Sequence, residues 1–236
     1  PEAKDYCDEY YARLIVAIPG TDLVITGHQD TSSEGGKFNN NDDTFTLLLW
    51  NKSTNTCKSI KKGARGNLWS LSVSPDGRYI SYGYAIRNLH TWLWQQPTVK
   101  VYDIKQEWDK CSFKGLIASF NRINQLAISD IADSTIMIAS PDNCTTQLKF
   151  DAPIGCWTLS FNLSGDLLAS VSESNLILWE TYTGEKLHEY NLNSSTNNIS
   201  LFGFSPDGRF LIASREYIDE NGKYISSIIL WGNSSE

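Results

Sequence analysis

The sequence predicts an all-β chain, a β-propeller of five four-stranded antiparallel blades, and three observations carry that reading. A block of about forty residues recurs along the chain. The apolar runs inside each copy are four to six residues long, which suits strands and is too short for helices. Turn sequences separate these runs regularly, and no segment sustains apolar spacing at 3.6 residues, so helix content should be near zero. The blades are read as 12–62, 66–114, 115–152, 156–192 and 198–232 of a single domain, 1–236, with residues 3–10 left as a closing strand.

The repeat is clearest where residues 115–150 lie over 156–191 at an offset of 41 without a gap. Leu116–Asn121 then falls on Trp157–Asn162, Gln125–Ser129 on Asp166–Ser170, and Thr135–Ile138 on Leu176–Trp179. The same phrase returns as Trp69–Val73 before Ser74-Pro75-Asp76-Gly77, and as Leu201–Phe204 before Ser205-Pro206-Asp207-Gly208. A more worn copy is Leu14–Ile18, then Pro19-Gly20-Thr21-Asp22, then Leu23–Thr26. Each copy later gives a third apolar run: Leu47–Trp50, Val99–Tyr102, Ile136–Ile138, Ile177–Trp179 and Ile228–Trp231.

Pro-Asp-Gly and Ser-Gly-Asp supply the backbone angles of a tight reversal, so the first two runs of each copy should pair as a hairpin. Thr181–Gly184 makes the next reversal, and Lys186–Tyr190 follows as a more polar fourth strand. Four antiparallel strands per repeat make a propeller blade.

Phe204-Ser205-Pro206-Asp207-Gly208-Arg209-Phe210, with the strand ends Leu178-Trp179-Glu180 and Leu49-Trp50-Asn51, resembles the WD-repeat propellers. Val101-Tyr102-Asp103 is similar to that family's Trp-Asp dipeptide, with Tyr in place of Trp. The resemblance covers nearly the whole chain and implies a protein-interaction platform. The family's Gly-His pair between one blade's fourth strand and the next blade's first is absent. Gly27-His28 follows a second strand instead, so the family's buried Asp–His–Ser/Thr–Trp network is not expected here. Five repeats are also fewer than the family's usual seven, so the chain reads either as a small ring or as part of a longer propeller. The fifth repeat has only five residues after Trp231, so Ala3–Tyr10 is expected to pair with Ile225–Trp231 as its outer strand, because an uncovered edge invites aggregation.

Composition narrows the function. At 41% hydrophobic the chain is globular, and no apolar run approaches the ~20 residues of a membrane span. A formal charge of −7 argues against a nucleic-acid surface. The chain opens at Pro1 with neither Met nor a leader, which reads as a piece of a longer protein. Cys7, Cys57, Cys111, Cys144 and Cys156 are odd in number and lack a C-x-x-C, which reads as free thiols of a cytoplasmic protein. Six N-x-S/T acceptors, at Asn51, Asn143, Asn162, Asn193, Asn198 and Asn233, keep secretion as the alternative.

Function is expected where three copies are longer than the others between their second and third strands: His28–Asp43, Tyr84–Pro97 and Arg215–Tyr224. Read as long loops on one face of a closed ring, they would form a continuous wall, the usual place for binding residues. Arg87, His90, Trp92 and Trp94 sit in the second insertion, in the chemistry of a recognition hot spot, although the two Trp also suit a small satellite core. Glu216, Tyr217 and Asp219 give the third an acidic rim. Glu34, Asp42 and Asp43 in the first read as solvated acids rather than a Ca²⁺ site. Trp50, Trp69, Trp157, Trp179 and Trp231 hold repeat positions and read as packing residues, whereas Trp108 should lie outside.

With three His and no nucleophile elbow, phosphate loop or H-E-x-x-H, catalysis has no local motif, and no cofactor or metal is expected. The leading reading is a non-catalytic scaffold for a protein or peptide partner. The alternative is an extracytoplasmic sugar-binding or glycoside-processing five-bladed propeller, with Trp92 and Trp94 stacking on a sugar and carboxylates drawn from distant strands.

Overall fold

In the computed structural model the residues described are 12–30, 44–87, 94–172, 175–191, 198–205, 207–218 and 223–232. They contain nineteen strands, and no helix occurs among them. Two compact units divide the chain, residues 1–118 and 119–236.

The first unit holds two four-stranded antiparallel sheets. One runs β1 (Ala12–Ala17), β2 (Leu23–Asp30), β3 (Thr44–Asn51) and β4 (Thr56–Arg65) in order. The other runs β5 (Asn67–Val73), β6 (Tyr79–Arg87), β7 (Trp94–Asp103) and β8 (Trp108–Lys114). Their facing sides share a core of Ile25, Phe45, Leu47, Leu68, Ile80, Tyr82 and Tyr102. The packing is tight where β6 passes the backbone that leads into the next strand. A Cβ on Gly83 would lie 1.8 Å from the Leu116 carbonyl oxygen, so only glycine fits there. Ser70 Oγ donates to that same carbonyl at 2.9 Å.

A third sheet comprises β9 (Ile117–Phe120), β10 (Leu126–Asp130), β11 (Thr135–Ser140) and β12 (Thr145–Asp151), its first strand crossing the boundary between the units. The second unit continues with β13 (Thr158–Phe161), β14 (Leu167–Val171), β15 (Asn175–Glu180) and β16 (Lys186–Asn191). It ends in β17 (Asn198–Phe204), β18 (Phe210–Ile218) and β19 (Tyr224–Gly232), three strands among the described residues. Ala169, Val171 and Leu176 of the fourth sheet pack with Leu211, Phe202, Phe204 and Trp231 of the fifth. The expected closing strand, Ala3–Tyr10, lies outside the described residues.

The turn residues act as their chemistry predicts. Between β5 and β6, Ser74 Oγ donates to Asp76 at 2.6 Å, Asp76 accepts from the Arg78 amide, and the Tyr79 amide donates to Ser74 Oγ. Ser205, Asp207, Arg209 and Phe210 repeat these bonds between β17 and β18. Asn121 and Asn162 do the same work in their own turns, each side-chain oxygen accepting two backbone amides.

Four sequence expectations need correction. Trp50 Nε1 donates to Thr26 Oγ1 at 2.8 Å, and that oxygen also meets His28 Nε2 at 2.7 Å, so the first sheet does build a Trp–Thr–His arrangement. His28 reaches it from β2, two residues beyond Thr26 and on the same face of the strand. In the fourth sheet Trp179 Nε1 likewise donates to Ser170 Oγ at 2.8 Å. The cysteines differ as well: Cys57, Cys111 and Cys144 are disulfide-bonded, and the free thiol among the described residues is Cys156, buried, with its pKa pushed up by desolvation. Trp157, placed among the packing residues, is 37% exposed because it precedes β13 in the crossing between sheets, while Trp179 is buried and Trp108, as expected, is exposed. Finally, the described parts of the inserted segments are strand rather than loop. They lengthen the hairpins, with β2–β3, β6–β7 and β18–β19 pairing out to Asp30↔Thr44, Arg87↔Trp94 and Ile218↔Tyr224. Tyr84 and Ile86 continue the alternation of β6 beyond the repeat core.

Candidate functional site

The two long hairpins of the first unit rise from a braced base. Gln29, near the end of β2, donates to the carbonyls of Thr44 (2.9 Å) and Gly66 (3.2 Å) and accepts from the Leu68 amide (3.0 Å). One side chain thus ties the first hairpin to the crossing into the second sheet.

Beside it Phe45, Tyr82 and Tyr84 form a ring cluster, with centroid separations of 5.9 Å for Phe45–Tyr82, 5.2 Å for Phe45–Tyr84 and 6.1 Å for Tyr82–Tyr84. Such contacts add to the area they bury. Tyr82 Oη donates to Asp109 at 2.8 Å, and the other Asp109 oxygen pairs with Lys61 Nζ at 2.6 Å, linking β6, β8 and β4. Desolvation, with the Asp109 carboxylate second, raises the phenol pKa of Tyr82 far above its usual range and raises Tyr84 for the same two reasons. Both phenols therefore stay protonated, and Tyr82 remains a donor to Asp109 throughout the physiological range.

Above this base the second hairpin bends. Its register shifts between Tyr84 and Ile86, a bulge that re-aims the strands before Arg87 and Trp94 pair across the tip. Arg87 and Trp94 thus come together in the backbone register, while His90 and Trp92 lie outside the described residues. In the second unit Glu216 and Tyr217 stand in β18 opposite Ser226 and Ile225, and Asp219 lies outside the described residues. Sequence reasoning found these hairpins by length but missed the bracing set of Gln29, Tyr82, Asp109 and Lys61. Only the alternation Tyr82-x-Tyr84 hinted at it.

Among the described residues no group of three or more His, Cys, Asp or Glu could hold a metal ion. Most of the acidic stretch 28–43 lies outside those residues. No helix is long and apolar enough to cross a membrane. The arrangement is a rigid base carrying long hairpins, which suits recognition by contact.

The chain has a WD-repeat-like β-propeller fold, and solved structures agree. It aligns with the β-propeller domain of Myceliophteria thermophila Cps50 (Swd1) at a TM-score of 0.61 and 15% identity, covering 91% of this chain and 67% of that one. It aligns with Kuenenia stuttgartiensis hydrazine synthase at 0.68 and 11%, covering 94% and 65%. Among curated proteins it is similar to eukaryotic translation initiation factor 3 subunit I from Aspergillus oryzae (22% identity over 225 residues) and from Emericella nidulans (23% over 229). Each match covers 87% of this chain and 65% of the relative, so the chain spans just under two thirds of those proteins' length. The Phaeosphaeria nodorum counterpart is 34% identical over 76 residues, 32% of this chain and 21% of that protein. No family model matches the chain.

Proposed function

We propose that this chain is a non-catalytic WD-repeat-like scaffold that binds a protein partner through the hairpins joining the second and third strands of its first, second and fifth sheets. The observation that carries this reading is the β6–β7 hairpin, prolonged beyond the repeat and braced at its foot by Gln29, Tyr82 and Asp109. Interface energy concentrates in a few aromatic and Arg side chains. Arg87, His90, Trp92 and Trp94 are the contact residues we assign to this hairpin, with Glu216, Tyr217 and Asp219 as an acidic rim. The relatives are subunits of a translation initiation factor, which supports membership of a multiprotein assembly and a cytoplasmic place of action.

The test is a W92A/W94A double variant. Its unfolding midpoint should stay near that of the parent, while proteins retained by the parent on an affinity matrix are lost. Unchanged retention by the folded double variant would falsify the assignment. The compartment is tested separately, because disulfide-bonded Cys57, Cys111 and Cys144 favour an oxidising environment. Alkylation in intact cells followed by mass counting of free thiols decides between the two: Cys57, Cys111 and Cys144 should alkylate in a cytoplasmic protein and stay blocked in an oxidising compartment. Persistent disulfides in the native source would move it elsewhere.

A further inference from the structure

Within the second unit a cavity of about 220 Å³ opens between β16 and the last sheet. We propose that it receives an aromatic side chain carried on an acidic peptide segment of a partner protein.

Size and lining select the aromatic ring. A cavity of ~150 Å³ is enough for benzene, whereas drug-sized ligands use pockets of ~300–1,000 Å³. The space therefore suits one side chain and is small for a nucleotide. Its wall is already a ladder of rings: Tyr190 lies 6.0 Å from Trp231 and 6.2 Å from His188, centroid to centroid. Leu187, 41% exposed, stands at the rim, an apolar side chain offered to solvent. An entering ring meets faces and edges of other rings, the geometry aromatic pairs prefer.

Charge selects the acidic flank. The cavity is lined by Arg209 and His188, and none of its described lining residues is a carboxylate, in a chain of net charge −7. Arg209 is exposed, with its guanidinium 5.7 Å from the Phe210 ring centroid. The acids beside the lining are engaged elsewhere: Asp166 accepts from Asn162 and Ser164, and Glu180 from the Thr183 amide and hydroxyl. Asp207 accepts from the Ser205 hydroxyl and the Arg209 amide, and Glu189 pairs with Lys186 at 2.6 Å. A guanidinium on an aromatic ring beside an apolar hole binds a carboxylate next to a buried ring better than either group alone. This pocket shares no residue with the hairpin surface, so it adds a second contact site.

The experiment titrates the intact chain with a fluorescein-labelled Asp-Asp-Phe-Asp-Asp peptide and follows anisotropy at low salt. Saturable binding is expected, weakened at least tenfold by Arg209→Glu, by Leu187→Asp and by Ala in place of the peptide's Phe. Both protein positions are exposed, so these variants should keep the parent's unfolding midpoint. The W92A/W94A variant should bind the peptide as the parent does, which separates this site from the hairpin surface. Three results overturn the proposal: no saturation up to about millimolar peptide, equal binding of a Lys-Lys-Phe-Lys-Lys peptide, or indifference to Arg209→Glu. Binding that emerges only after residues 1–10 are removed also overturns it, because the intact chain would then be filling its own pocket.

Discussion

The fourth and fifth sheets are written in nearly the same sequence and meet solvent differently. Leu176-Ile177-Leu178-Trp179 of β15 corresponds to Ile228-Ile229-Leu230-Trp231 of β19, and Ala169 of β14 corresponds to Ile212 of β18. On one face of the fourth sheet Leu176 and Ala169 are fully buried and Leu178 is half-buried. At the equivalent positions of the fifth, Ile228 is 78%, Leu230 57% and Ile212 40% exposed. Two structural facts account for the contrast. The fourth sheet has a fourth strand, β16, and its face is packed by Phe202, Phe204, Leu211 and Trp231 of its neighbour. The fifth sheet has three described strands, and Ile212, Ile228 and Leu230 on its corresponding face are exposed. An apolar repeat position therefore records what strand is being made, while its energy depends on what covers it.

The largest effect should come from truncating equivalent residues. Leu176→Ala removes a fully buried side chain at the junction of two sheets and should cost about 2–5 kcal/mol, measured by denaturant unfolding. Ile228→Ala, at an exposed position, should stay within about 0.5 kcal/mol. Similar losses for both would mean that the face of β19 is covered in solution and would remove the contrast.

A smaller difference is expected at the two tryptophans. Trp179→Phe leaves the ring contact with Phe150, now at 5.0 Å, but strips the buried Ser170 hydroxyl of its indole donor. That should cost about 1–3 kcal/mol. Trp231 is only half-buried and its ring partner is Tyr190, so Trp231→Phe should cost less. Equal costs would show that the indole donor of Trp179 contributes little.

Strands and turns were legible because their causes are local. Short apolar runs and Pro-Asp-Gly reversals act within a few residues, and both SPDGR turns use the same Ser and Asp bonds. The chemistry that depends on distant partners was not legible. The family's buried network is not expected where Gly27-His28 stands, yet His28 lies within β2, and its separation of two residues from Thr26 puts both on one face. Cysteine spacing suggested free thiols, but a disulfide depends on which chains approach in space, and three of the cysteines meet a partner. The long insertions were read as loops by counting residues, whereas in the second and third the described residues, among them Ile86 and Ile218, extend the ladder. The cavity beside β16 draws its lining from Leu167 to Gly232, a spread no local pattern reveals.

The smallest expected effect lies in the turns that open the two second strands. In the fourth sheet the Ser164 hydroxyl and the Asn162 amide both donate to Asp166, and these bonds hold its carboxyl below the usual range. In the fifth sheet Asp207 is lowered chiefly by the Ser205 hydroxyl. A carboxylate with a depressed folded pKa contributes stability that is fully present above its unfolded value, near 3.9, and fades as pH falls through the folded value. Asp166→Asn should therefore lower stability at neutral pH and approach the parent below about pH 4. Both carboxylates are largely in water, so the effects are modest and screened by salt. Asp166, with two side-chain donors, should show the larger pH-dependent loss, followed as unfolding midpoints from pH 7 down to pH 3. A larger loss for Asp207→Asn would place the tighter turn in the fifth sheet and reverse the ranking that the two hydrogen-bond sets imply.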